Sequence, residues 1–294
     1  MKNAKILITG PTSQVALPLA RSLARDNEVY GLARLSKTSD REKLEEIGVR
    51  PLAADLATDD FEEIPDDFTY VLNFAVLKTG DFAYDLAANA EGVGRLMARC
   101  REAKAFLHCS SAAVYAEAGR VRLNEDAALG DSHRSMFPTY STAKIAAETV
   151  VRFASRQWNV PTTIARFSVP YGDNGGWPLF HLLMMRAGEP IPVPPDPPAV
   201  YNPIHEDDYI GQIPKLLEIA SVPATTVNWG GDPAALQTWC EYIGEIAGLT
   251  ARFVTTKDTI PSLELDLTRL HRLVGPTRVG WKEGIRRLVE THSR

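Results

Sequence analysis

A short apolar run, a glycine turn and an amphipathic helix open this chain, and together they constrain its fold more than any other feature. Residues 5–9 (Lys-Ile-Leu-Ile-Thr) read as a buried parallel strand, Gly10 to Ala16 as a tight turn, and Val15, Leu17, Leu19, Ala20 and Leu23 as the apolar stripe of a helix. The alternation then repeats. Strands are expected at 28–33, 49–53, 69–74, 105–109 and 160–167, separated by helical patterns at 40–47, 81–103 and from 138 onward. Strands alternating with helices give an α/β architecture, a doubly wound parallel sheet whose ligands lie at the carboxyl ends of its strands. The helix at 40–47 is expected to be capped by Ser39 or Asp40 and ended by Gly48.

The first turn is the setting that holds a pyrophosphate on a helix N-terminus, with Gly10, Thr12, Ser13, Gln14 and Val15 as the candidate contacts. Its glycine pattern is degraded. Ser13 stands where a second glycine lets backbone approach phosphate, and Ala16 stands at the third. At the end of the second strand an acid would accept from a ribose 2′-hydroxyl. Here Ala33 is followed by Arg34, Ser36 and Lys37, two cations and a hydroxyl that suit a 2′-phosphate, so NADP(H) is preferred and NAD(H) is possible. Asp55, before Leu56, can accept from an adenine amino group or cap the next turn. Phe74, Ala75 and Val76 let a cofactor lie across the strand ends. Asn89, in mid-helix, holds a water or backbone near the site or faces solvent.

Pro138-Thr-Tyr-Ser-Thr-Ala-Lys144 carries the proposed chemistry. Tyr140 and Lys144 lie one helical turn apart on one face. An ammonium near a phenol favours phenolate, so Lys144 is expected to draw the Tyr140 pKa toward working pH. Taken alone, this spacing is also a common accident on a helix surface. Ser110 and Ser111 end the fifth strand, where Ser111 can hydrogen-bond a reacting oxygen beside Tyr140. A Ser-His-Asp hydrolase is set aside because no Gly-x-Ser-x-Gly elbow and no His–Asp pair stands out.

These pieces, in this order, resemble the extended short-chain dehydrogenase/reductase family of NAD(P)-dependent epimerases, dehydratases and reductases. The likeness runs through Thr9-Gly10, Ala54-Asp-Leu56, Asn73-Phe-Ala75, Asn89-x-x-Gly92 and Ser110-Ser-Ala-Ala-Val-Tyr115. It continues through Tyr140-Ser-Thr-Ala-Lys144, Arg166-Phe-Ser-Val-Pro-Tyr-Gly172 and Pro203-Ile-His-Glu-Asp-Asp208. The resemblance implies a Rossmann-type sheet with a smaller C-terminal α/β substrate domain. Residues 1–168 would bind the cofactor, with 203–229 packing back on them, and 169–294 would mainly bind substrate. It implies a catalytic set of Ser111, Tyr140 and Lys144, hydride transfer at nicotinamide C4, and cofactor contacts that extend to Phe167 and Val169. It implies pairing as a homodimer through the helices at 81 and 138, Arg166 as a turn anchor, and His205 as a support of the fold.

Two departures bear on substrate. Val169 stands where nucleotide-sugar enzymes of the family carry Asn, and Tyr201 stands near their diphosphate-gripping Arg, with Arg186 or Arg252 as substitutes. Ser111-Ala-Ala113 also lacks the Asp-Glu pair that dehydration uses. The expected substrate is a small non-nucleotide molecule, met by Lys78, Ser111, Val169 and Tyr201, whose carbonyl and alcohol forms are interconverted. The alternatives are a nucleotide-sugar epimerase that retains its cofactor and, third, a non-catalytic NADP-binding or sensor protein, suggested by Ser13.

Composition narrows the class without deciding it. A net charge of -5 over 294 residues argues against a nucleic-acid surface. Cys100, Cys109 and Cys240 are too scattered for a disulfide framework or a metal site and fit a reducing cytoplasm. No apolar stretch reaches membrane-spanning length, and the run at 5–9 is too short for a signal peptide.

Overall fold

A computed structural model of the chain describes residues 1–58 and 61–293. The expected apolar runs form β1 (Lys5–Thr9), β2 (Glu28–Ala33), β3 (Val49–Ala53), β4 (Tyr70–Asn73), β5 (Ala105–Ser111) and β6 (Thr162–Phe167). With the later strand Thr225–Trp229 they make a seven-stranded sheet, ordered Thr225–Trp229, β6, β5, β4, β1, β2, β3. Every pairing is parallel. The chain runs outward from β1 to β3 and then crosses back to β4 on the other side of β1. That reversal opens a crevice at the carboxyl ends of β1 and β4. Every residue of β5 and β6 is buried, as parallel strands covered on both faces require.

Gly10 is required where it stands. Its φ is +64°, and a Cβ there would lie 2.9 Å from the Ala75 Cα. The turn hands over to α1 (Ala16–Leu23), and Ser13 has a use in it: its Oγ accepts from the Ala16 N–H at 3.2 Å. Helix α2 (Thr38–Glu46) begins two residues before the expected start. Lys37 occupies its N-cap with no side-chain hydrogen bond, so neither Ser39 nor Asp40 caps it.

The long helix expected at 81–103 is interrupted. Asp81 caps it by accepting from the Tyr84 N–H, and α3 (Phe82–Leu86) passes through a π-helical turn, Ala87–Glu91, into α4 (Gly92–Arg99). Asn89 lies in that turn. Its amide takes the Asp85 carbonyl at 2.7 Å and clamps Leu77, donating to its O at 2.7 Å and accepting from its N–H at 2.9 Å. A side chain inserted into the helical ladder is a recognised cause of such a bulge. Gly92 then lets the segment after β3 lie against the helix, since a Cβ would sit 2.2 Å from the Leu56 carbonyl oxygen.

Helix α5 (Tyr140–Gln157) follows a loop and returns the chain to β6. Beyond β6 the strands are short. Pro170–Tyr171 pairs with Ile204–His205, Val200–Tyr201 with Ala234–Ala235, and Ile191–Val193 with Phe253–Thr255. Val200–Tyr201 and Ile204–His205 stay separate strands because Asn202 between them serves other segments, its Nδ2 donating to Gly231 O at 2.9 Å and its Oδ1 accepting from Leu265 N at 2.7 Å. Helix Glu206–Glu218 returns to α1, where the Tyr209 hydroxyl donates to Val15 O at 3.2 Å. Among the described residues no helix is long and apolar enough to cross a membrane.

Candidate active site

A cavity of about 360 Å³ opens at the ends of β5 and β6, and Ser111, Tyr140 and Lys144 all line it. Tyr140 begins α5, and Lys144 is buried one turn further on. The Ser111 side chain lies beside the Tyr140 phenol, and its hydroxyl accepts from the Ala113 N–H at 3.1 Å. The Lys144 ammonium donates to the Cys109 carbonyl at 2.8 Å. Burial pushes the Tyr140 phenol up to about 12, and Ser111 opposes it. The expected lowering by Lys144 is therefore absent in the protein alone: the lysine is turned to the β5 backbone, and desolvation governs the phenol. Burial likewise lowers the Lys144 pKa, with Cys109 and Glu148 opposing.

Under this set lies a buried ion pair. Arg166 on β6 holds Glu148 of α5 in a fork, Nε to Oε1 at 2.9 Å and Nη2 to Oε2 at 2.8 Å. Its Nη1 donates to the Tyr115 hydroxyl at 3.0 Å and to Glu125 O at 2.9 Å. Arg166 thus joins β6 to α5 and to two loops, more than the turn anchor expected. Ser110 belongs to this layer: it lines the cavity, but its Oγ donates to Glu148 Oε1 at 2.7 Å.

A second cavity, about 240 Å³, lies over β1, β2 and β4. Gly10, Thr12 and Ser13 line it with Arg34, Ser36, Asp55, Leu56, Phe74, Ala75 and Val76. Ser13, Phe74 and Val76 also line the first cavity, so one groove runs from the Arg34 end to Tyr140. Gln14, Val15, Phe167 and Val169 line the Tyr140 end. The Thr9 hydroxyl fixes the strand ends between, donating to Asn73 Oδ1 at 2.7 Å and accepting from the Phe74 and Ala75 N–H groups at 3.1 and 2.9 Å. A glycine cradle, a shelf of small and apolar residues and a two-ended groove fit a nicotinamide dinucleotide.

At the Arg34 end the expectations need adjustment. Arg34 donates to the Tyr84 hydroxyl at 3.3 Å, which donates to Asp55 Oδ2 at 2.8 Å, while Asp55 Oδ1 accepts from Ala57 N at 2.9 Å. Asp55 therefore caps its own turn as well as lining the cavity. Lys37 lies outside the lining, at the N-cap of α2. Asp40 lies inside it. The early start of α2 places this acid in the first helical turn, which the strand-end pattern did not disclose.

Around Tyr140 the lining is mostly aromatic and aliphatic. The Lys78 ammonium sits 4.0 Å from the Phe137 ring centre and 5.9 Å from that of Tyr140, and desolvation lowers its pKa. Tyr201 reaches the cavity, but its hydroxyl donates to Ile260 O at 2.7 Å and its ring meets Trp177 edge-on. His205 caps the helix Glu206–Glu218, its Nδ1 accepting from Asp207 N at 3.2 Å. Two residues escaped the sequence reading. His133 lines the cavity with its ring centre 6.0 Å from that of Tyr140. Asp85 is fully buried and binds both the loop that carries Lys78 and Thr139, next to Tyr140.

The fold recurs in solved structures. UDP-glucuronic acid 4-epimerase from Bacillus cereus matches with a TM-score of 0.82 at 19% identity, over 98% of each chain. UDP-glucose 4-epimerase from Thermotoga maritima gives 0.83 at 20% identity, over 98% of each chain. The dTDP-glucose 4,6-dehydratase DesIV from Streptomyces venezuelae, solved with NAD, gives 0.82 at 19% identity, over 98% of this chain and 97% of that one. No curated protein matches the sequence. The family model for the NAD dependent epimerase/dehydratase family matches residues 6–219, from β1 through the helix that packs back on the sheet, and the chain belongs to that family.

Proposed function

We propose that this enzyme oxidises and reduces a carbinol carbon of a small molecule, with Tyr140 moving the proton. A bound nicotinamide supplies the partner for hydride. The observation that carries the reading is one continuous groove with the Gly10 turn at one end and Ser111, Tyr140 and Lys144 around a cavity at the other. Tyr140 donates to a carbonyl oxygen or accepts from an alcohol, Ser111 orients that oxygen, and the Lys144 ammonium holds charge beside both. Phe74, Phe167 and Trp177 keep water from the reacting carbon. The Tyr140→Phe variant should lose ~10²–10⁴-fold in turnover while still binding cofactor. Full turnover in that variant would sink the assignment.

The activities named for the solved relatives weigh toward the epimerase outcome over net reduction. Epimerisation uses the same residues twice, once to oxidise and once to reduce from the other face. A specific observation favours a small non-nucleotide substrate instead. The lining residues offer only Lys78 and Lys144 as cations. Arg186 and Arg252, the expected substitutes, donate to the carbonyls of His292 and Gly188. Incubation with UDP-glucose and UDP-glucuronic acid separates the two. An inverted sugar without net cofactor consumption establishes the epimerase; no conversion of either supports the smaller substrate.

For the cofactor, Arg34 and Ser36 support NADP(H), and Asp40 supports NAD(H). Arg34→Ala should weaken NADPH more than NADH, and Asp40→Ala the reverse; equal loss of both cofactors in both variants contradicts the assignment. The Ser111, Tyr140 and Lys144 set around one cavity and the family match weigh against the sensor reading. We place the substrate side in residues 169–294, with 203–229 returned to the sheet. Exposed Phe153 on α5 is the surface through which a homodimer would form, and light scattering of Phe153→Asp against the parent chain tests it.

A further inference from the structure

His133 is a polar side chain in the Tyr140 cavity that the proposed chemistry leaves unused, and its surroundings bear on what it offers. Its backbone is fixed against the catalytic helix: the N–H donates to Ser141 Oγ at 3.3 Å, and the carbonyl accepts from Phe137 N at 2.8 Å. The ring is anchored by one nitrogen. Ser132 Oγ lies 3.1 Å from His133 Nδ1 and also donates to Ala113 O at 3.3 Å. A hydroxyl has a single proton, so toward the ring Ser132 is the acceptor, and Nδ1 carries the hydrogen. That leaves Nε2 with a bare lone pair. No described residue hydrogen-bonds to it, yet it is not sealed in, unlike His108 Nε2, which is buried without a partner. The ring lines the Tyr140 cavity, and Nε2 is the nitrogen it has left to offer a ligand there.

The groups that face this ring are Lys78 and Tyr140, and Phe137 packs against both of them. Burial first, and the Lys78 charge second, lower the His133 pKa to about 4, so the ring is neutral at neutral pH. A histidine that only fills core has its acceptor nitrogen matched within the protein, as His181 Nδ1 is matched by the Trp239 indole at 2.9 Å. His133 presents the opposite case, a fixed acceptor left unmatched beside the proposed proton donor.

We propose that His133 contacts substrate, its Nε2 accepting a hydrogen bond from a hydroxyl next to the carbon that Tyr140 serves. The substrate is then a vicinal diol or α-hydroxy carbonyl, since one small molecule must reach both rings. This inference rests on the Tyr140 reading above and adds the second oxygen. It holds for a sugar and for a smaller polyol alike, and it excludes a simple alcohol or ketone.

The test uses the full chain carrying 15N-histidine, with trans-cyclohexane-1,2-diol and cyclohexanol as probes, in the presence of NAD⁺ and then NADP⁺. Without a probe, the His133 nitrogens should report a neutral ring with the proton on Nδ1 around neutral pH. Adding the diol should shift the Nε2 resonance, and cyclohexanol should leave it in place. The diol should bind ~10-fold more tightly than cyclohexanol, the scale of one neutral hydrogen bond. His133→Phe should erase that preference and His133→Gln, which keeps an acceptor, should restore part of it. A proton on Nε2, a charged ring at neutral pH, no response to the diol, or equal responses to both probes overturns the inference. Tyr140→Phe keeps the two readings apart: an intact Nε2 response with undiminished turnover sinks the Tyr140 assignment alone. Wild-type turnover on the diol without any Nε2 response sinks this one alone.

Discussion

Replacing Asp85 should loosen the frame on which both Lys78 and Tyr140 are mounted. The side chain is 0% exposed and accepts from four donors, one of them shared between its two oxygens. Thr79 N lies 3.1 and 2.9 Å from its two oxygens, Thr79 Oγ1 3.0 Å, Gly80 N 3.2 Å and Thr139 Oγ1 2.6 Å. Burial acts to raise its pKa, but the bonds from Thr139, Thr79 and Gly80 outweigh it, so the carboxylate stays ionised and below its ordinary range. A hydrogen bond to a charged group contributes ~1.5–3 kcal/mol, and removing the acceptor leaves buried donors unmatched. Against this, Asp85→Ala removes the cost of burying a charge. The net loss expected is ~3–5 kcal/mol for Asp85→Ala, and about half that for Asp85→Asn, which keeps one carbonyl oxygen. Urea unfolding of the full chain measures both. Thr139→Val, which removes one bond, supplies a double-mutant cycle, and its effect should largely vanish in the Asp85→Ala background. An Asp85→Ala loss within ~0.5 kcal/mol of zero, the range of an ordinary surface substitution, would refute the reasoning.

Other consequences are open to direct measurement. Gly92→Ala would bring a Cβ within 2.2 Å of Leu56 O, so the segment after β3 must move; expect lower stability and weaker dinucleotide binding by calorimetry. Lys144→Met removes a buried ammonium whose hydrogen bond goes to a backbone carbonyl, so the melting temperature should hold or rise while turnover collapses; a large loss of stability contradicts this. His108, His133 and His181 are held neutral by burial at about 3, about 4 and about 4, against an ordinary 6.5. The unfolded chain binds more protons below pH 6.5, so the stability these rings contribute is present above that pH and is lost as pH falls, by ~2–3 kcal/mol each near pH ~4.5. Glu206, pushed up to about 6 by burial with Asp173 and Asp207, acts in the opposite sense as pH rises from 4.5 to 6. Urea midpoints that stay level from neutral pH to ~4.5 would count against the histidine assignment.

What the sequence disclosed and what it hid divide along a physical line. Strands β1, β2 and β3 begin and end where expected; β1, in the middle of the sheet, does so because a parallel strand covered on both faces is continuously apolar, whereas β3 at the edge keeps Arg50 exposed. The Tyr140–Lys144 relation was legible for a similar reason, since helical spacing alone sets it. Asp40, Asp85 and His133 were not, and each owes its place to something with no local period. Asp40 enters the groove because α2 starts two residues early, without a side-chain cap to mark the boundary. His133 stands in a loop, positioned by Ser132 and Ser141. Asp85 left a trace that was open to reading. A buried carboxylate requires hydrogen-bond partners, and those of Asp85, in the first turn of α3, come from outside the helix. The same argument was applied to Asn89, four residues on, and led to Leu77 in the loop before α3. Applied to Asp85 it leads to Thr79 and Gly80 in that same loop, and to Thr139 beside Tyr140. Two polar residues on one helix thus fix a single loop against the start of α5, and Lys78 lies between the two points at which they hold it.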